Sequence, residues 1–139
     1  QRTALAARPS ANRVWTDWHT DVTAAVNTPF ASILRSVVAP PYGGDTQWLN
    51  MVAAYEALST PMQKFLNTLR TVHRFKRATD GGNANDYNDR VERNPIEAEH
   101  PMVIVHPETG EKALFTNQEF AESIVGLTPK ESKFLLEYS

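Results

Sequence analysis

After residues 1–12, which show no sustained period, strand-like patterns run from residue 13 to 49, and helical spacing takes over from residue 51 to 72. Residues 13–24 mix β-branched and aromatic side chains and predict a strand. Asn27-Thr28-Pro29 breaks that pattern. From Phe30 to Val38 a second strand is expected, with Ala31, Ile33, Arg35 and Val37 on one face and Ser32, Leu34, Ser36 and Val38 on the other. Pro40-Pro41-Tyr42-Gly43-Gly44-Asp45 has the composition of a turn, and Thr46 to Leu49 resumes as a short strand.

Met51 to Leu58 has helical composition. A second helix is expected to open at Thr60, with Pro61 in its first turn and Gln63 completing a capping box. Met62, Phe65, Leu66, Leu69 and Val72 then fall on one helical face, a stripe suited to core packing. Residues 76–99 are polar and rich in Gly, Asn and Asp, which predicts a flexible loop or a lid. Met102 to Val105, the turn Pro107-Glu108-Thr109-Gly110 and Lys112 to Thr116 read as a β-hairpin. Two helices are expected at the end. Thr116 and Glu119 open one over Phe120 and Ile124, with Gly126 as its stop, and Thr128-Pro129-Lys130-Glu131 opens the next over Phe134, Leu135 and Tyr138.

A length of 139 residues fits a single domain spanning 1–139. With 14 Lys and Arg against 16 Asp and Glu, the chain offers no broad field for nucleic acid or an anionic membrane. The absence of cysteine excludes disulfides and thiolate metal sites, so any metal falls to His, Asp or Glu, and it leans towards a cytoplasmic location. No apolar run approaches the roughly 20 residues that cross a bilayer.

The candidate chemistry sits in Trp18-His19-Thr20-Asp21-Val22-Thr23. On an extended strand His19 and Asp21 leave the same face and can hold one metal between them. With a second histidine this is the donor set of the facial triad found in non-haem Fe(II) oxygenases. Taken alone, such a triplet recurs by chance, and a strand whose His and Asp merely hydrogen-bond each other is the default reading.

Four further blocks follow in order: Pro41-Tyr42-Gly43-Gly44-Asp45-Thr46-Gln47-Trp48, Ala53-Ala54-Tyr55-Glu56-Ala57-Leu58-Ser59, His106-Pro107-Glu108-Thr109-Gly110 and Ala113-Leu114-Phe115-Thr116-Asn117. Together with the His19 block they resemble the taurine dioxygenase/2,4-D dioxygenase family of Fe(II)- and 2-oxoglutarate-dependent oxygenases over residues 15–139. The resemblance implies a mainly β fold with flanking helices, built on a double-stranded β-helix or jelly-roll core. This chain would be an internal, incomplete portion of it. Members are longer, and their third metal ligand and the arginine for 2-oxoglutarate are expected beyond Ser139.

On this resemblance His19 and Asp21 are the Fe(II) ligands and Thr46 hydrogen-bonds the far carboxylate of 2-oxoglutarate. Related halogenases carry a small residue at the carboxylate position, so Asp21 points to hydroxylation. Trp15 stands where taurine dioxygenase has a substrate-binding asparagine, which makes taurine itself doubtful. Trp15, Val22 and Phe115 are the candidate substrate contacts. The expected reaction hydroxylates a small organic acid, a sulfonate, sulfate ester or aryloxyalkanoate, while 2-oxoglutarate and dioxygen yield succinate and carbon dioxide. His100 and His106, each before a proline, read as structural, and a homo-oligomer is compatible with the family. The alternative is a non-catalytic small-molecule-binding domain on the same scaffold with an incomplete metal triad. A metal-dependent hydrolase fits less well, because it has no use for the Thr46 block.

Overall fold

A computed structural model describes residues 18–39, 41–43, 45–75 and 93–138. Two short helices come first, α1 (Met51–Glu56) and α2 (Thr60–Leu66). Five strands follow: β1 (Arg70–Arg74), β2 (Glu97–Pro101), β3 (Val103–Val105), β4 (Lys112–Leu114) and β5 (Ala121–Ile124). Helix α3 (Pro129–Tyr138) closes the described part. The strands form an antiparallel sheet of order β2-β1-β5 and a separate hairpin β3-β4. The result is a small sheet-and-helix unit, consistent with part of a jelly roll. Among the described residues no helix is long and apolar enough to cross a membrane.

Met102 joins the two sheets. Fully buried, it donates its N–H to the Leu69 carbonyl at 3.0 Å, and its own carbonyl accepts from Phe115 N–H at 2.8 Å. Around it pack Tyr55, Leu66, Leu114 and Ile124, with Met62, Leu69, Leu135 and Leu136 closing the edges. Each buried Leu or Ile in such a core is worth roughly 1.5–3 kcal/mol. Buried Ser132 on α3 is satisfied: its hydroxyl accepts from the Ile124 N–H at 3.0 Å, which ties α3 to β5.

The hairpin forms as the sequence predicts, with Val103 opposite Leu114 and Gly110 at φ +74° in the turn. Helix α1 occupies the expected stretch, and α3 starts with a reciprocal cap in which the Glu131 carboxylate accepts from Thr128 N–H while Thr128 Oγ1 accepts from Glu131 N–H. Other expectations fail. Helix α2 is capped by Ser59 instead of Thr60, and Gln63 reaches back to the carbonyls of Tyr55 and Leu58 instead of boxing the cap. The helix stops at Leu66, so Leu69 and Val72 are not on its face. On α3, Phe134 and Tyr138 are exposed, and Leu135 and Leu136 carry the packing.

Beyond Leu69 the chain alternates, with Thr71 and His73 buried and Arg70 and Arg74 outward. Those arginines pair across to Glu99 on β2, and to Glu97 on β2 and Glu122 on β5. Exposed pairs of this kind contribute little each, but they suit one register only. Residues 121–124, expected as a helix, form β5 because β1 offers them a ladder, and 97–99, counted in the expected loop, open β2. Residues 76–92 of that loop lie outside the described residues.

The early strands are also corrected where they are described; residues 13–17 of the first lie outside the described residues. Asp21 to Ala24 form a turn, and residues 30–38 and 45–50 are irregular and exposed, Ile33 almost completely so. Strand backbone is stabilised by a neighbouring strand, and among the described residues none lies beside these segments.

Candidate functional site

The turn at Asp21 to Ala24 is closed by a hydrogen bond from Ala25 N–H to the Val22 carbonyl at 3.1 Å. Val22 sits at φ +60°, the left-handed region that a β-branched residue avoids, at a cost of order 1–3 kcal/mol. The kink nevertheless does what strand geometry was expected to do. It sets His19 Nε2 3.6 Å from Asp21 Oδ1, with both side chains reaching solvent. Nitrogen and oxygen ligands bind a metal such as zinc at about 2.0–2.2 Å, so a pair stands about 3 Å apart at a right angle and about 3.4 Å at a tetrahedral one. The observed 3.6 Å exceeds the tetrahedral spacing by about 0.2 Å and the right-angle spacing by about 0.6 Å, a gap that rotation of two exposed side chains can close, and the donor types suit a borderline metal. The pair therefore fits as a two-point chelate, although among the described residues no third His, Asp or Glu joins it.

Behind the turn the chain is buried. Thr23 and Ala24 are shielded from water, and Thr23 Oγ1 lies 2.9 Å from Nδ1 of His73 on β1. The Asn117 side-chain amide donates to the same hydroxyl at 3.4 Å, while its carbonyl oxygen accepts from Phe120 N–H at 2.8 Å. On the neighbouring strand, His100 Nε2 donates to the Ala25 carbonyl at 3.1 Å. Phe115, just past β4, stacks on His73 with ring centres 5.7 Å apart and meets His100 edge-on at 5.3 Å.

Burial, and then the neighbouring His100, push the His73 imidazole down from its ordinary 6.5 to about 4, opposed in part by the backbone of Phe115. His73 is therefore neutral near pH 7. Its Nε2 has no hydrogen-bond partner among the described residues, and the same holds for the buried hydroxyls of Thr71 and Thr116.

The expected site residues thus separate into groups. His19 and Asp21 come together, Val22 links Asp21 to the buried Thr23, and Phe115 belongs to the histidine cluster behind the turn. Thr46 lies in the exposed irregular stretch before α1, and Trp15 lies outside the described residues. His106 accepts at Nδ1 from the N–H groups of Glu108 and Thr109, each at 3.3 Å, so it caps the hairpin turn, in the structural role expected of it. Sequence reasoning missed His73, Thr23 and Asn117. The signal for His73 was its shared parity with Thr71, visible only once the segment is taken as a strand.

The profile of the family described as taurine catabolism dioxygenase TauD, TfdA matches residues 2–138. An alpha-ketoglutarate-dependent sulfate ester dioxygenase of Pseudomonas putida is 40% identical over 125 residues, which are 85% of this chain and 41% of that protein. An alpha-ketoglutarate-dependent sulfonate dioxygenase of Saccharomyces cerevisiae is 36% identical over 121 residues, 87% of this chain and 29% of that one. In three dimensions a taurine dioxygenase from Burkholderia xenovorans superposes with a TM-score of 0.73 at 51% identity, covering 93% of this chain and 40% of its own. The chain spans less than half the length of each of these relatives.

Proposed function

The chain belongs to the taurine catabolism dioxygenase TauD, TfdA family, and from that premise we propose that it carries two Fe(II) ligands and a 2-oxoglutarate contact of a dioxygenase that hydroxylates a small organic acid. The observation that supports this most directly is the 3.6 Å approach of His19 Nε2 and Asp21 Oδ1 on an accessible turn. One neutral imidazole and one carboxylate leave most of a metal's coordination positions for other donors. Bound Fe(II) with 2-oxoglutarate supplies the oxidising power: 2-oxoglutarate and dioxygen become succinate and carbon dioxide while one oxygen atom enters a substrate C–H bond.

The protein's part is placement. His19 and Asp21 fix the metal, with Asp21 as the anionic ligand of the pair. The Thr46 hydroxyl donates to the far carboxylate of 2-oxoglutarate, a charge-assisted bond stronger than a neutral one. Trp15, Val22 and Phe115 supply apolar surface that orients the substrate carbon and excludes water. Sulfonates and sulfate esters are the leading substrate classes, in line with the relatives' names, and aryloxyalkanoates are the third.

The test is substrate-dependent succinate formation by the intact protein with Fe(II), 2-oxoglutarate and members of each class. Turnover with one class and its loss in Asp21→Ala at matched iron loading is the expected result. Succinate formation that no member of the three classes stimulates, or unchanged turnover in Asp21→Ala, overturns the proposal.

A further inference from the structure

We infer that His73 and His100 act as a clamp that positions Asp21: by holding Thr23 and Ala25 they keep the left-handed kink at Val22 that turns the Asp21 carboxylate towards His19. The inference rests on the reading of His19 and Asp21 as a metal pair, and neither clamp histidine is itself a ligand.

Three observations carry it. A valine at φ +60° relaxes to negative φ unless its surroundings forbid it. The restraints stand immediately after it. The Thr23 hydroxyl is bound to His73 Nδ1 at 2.9 Å inside the core, and the Ala25 carbonyl accepts from His100 Nε2 at 3.1 Å. The two histidines are themselves rigidly related. They lie on paired strands, His73 opposite Ala98 and His100 opposite Thr71, with ring centres 5.4 Å apart and Phe115 against both. A sheet thus grips the chain two and four residues past Asp21. Release of the Thr23 bond lets Val22 unwind, which rotates the peptide that follows Asp21 and carries Oδ1 away from His19 Nε2.

His73 also looks ill-suited to a purely packing role. It is fully buried, yet among the described residues its Nε2 has no partner. An apolar ring of the same shape would fill that space without stranding a nitrogen. What the imidazole supplies and an apolar ring cannot is hydrogen bonding, with the bond to Thr23 at 2.9 Å foremost.

The probe is Co(II) alone, titrated into the intact protein with the visible spectrum recorded at saturation. His73→Phe, which keeps a ring, and Thr23→Val, which keeps the shape, are each expected to weaken Co(II) about tenfold, the low end of the effect of residues that orient metal ligands. Both should shift the ligand-field bands at saturating metal. The double variant is expected to lose no more than either single one, because both remove the same bond. His73→Asn, which returns a polar group near the Nδ1 position, should recover most of the affinity. Wild-type affinity and spectrum in folded His73→Phe and Thr23→Val, with affinity lost in Asp21→Ala, overturn the clamp and leave the metal pair standing. Wild-type affinity in Asp21→Ala overturns the metal pair and the clamp with it. If His73→Phe does not fold, Thr23→Val decides alone.

Discussion

Acidification from pH 7 towards pH 4 protonates the unfolded chain at His73 well before the folded one. In the fold, burial and the facing His100 hold this imidazole at about 4, against 6.5 for an ordinary histidine. The lowered value means that protons bind preferentially to the unfolded state. The stability linked to His73 is therefore intact above about pH 6.5 and is lost as pH falls towards 4. At about 1.4 kcal/mol per pH unit the gap amounts to at most roughly 3 kcal/mol, and allowance for solvent screening leaves about half of that. His73→Phe keeps the ring against Phe115 and His100 but cannot titrate. Urea unfolding of the intact wild type and of this variant, in steps from pH 8 to pH 4.5, reads the effect of His73 together with its coupling to His100, since the remaining groups are common to both. The difference in stability should be constant above pH 7. Below pH 6.5 the wild type should lose ground by about 1–2 kcal/mol. A difference that does not change with pH, or a wild type that gains ground in acid, would refute a buried neutral His73.

Two substitutions test the packing and the hairpin that carry Phe115. Leu66→Ala, in contact with the cluster of Tyr55, Met102, Leu114 and Ile124, should cost about 2–5 kcal/mol in urea unfolding, and a loss below about 1 kcal/mol would place Leu66 outside a tight core. Gly110→Ala meets no atom within 4 Å of its new Cβ, so its cost comes from the φ of +74° alone. That cost should be about 1–2 kcal/mol, and an unchanged unfolding midpoint would contradict the left-handed turn.

Much of the local structure was legible along the chain. The hairpin, α1 and the capped start of α3 depend on contacts within a few residues, where turn glycines, caps and periodicity act directly. The ordered blocks around His19, Pro41, Ala53 and Ala113 were enough to point to the family. So was the closeness of His19 and Asp21, although the chain achieves it through a kinked turn and not through the flat strand that their spacing suggested.

Tertiary structure decided the remainder. The apolar stripe from Met62 to Val72 satisfies a helical period, yet from Arg70 onward the chain is a strand, because β2 supplies partners such as Glu99, 29 residues away. A strand is stabilised by its neighbours, and a neighbour distant in sequence leaves no local mark. The same holds for the contacts behind the turn at Asp21. Thr23 meets His73 across 50 residues and Ala25 meets His100 across 75. Composition and spacing could name two side chains of metal-ligating type, but only the pairing of β1 with β2 brings the two imidazoles to Thr23 and Ala25, just past Asp21.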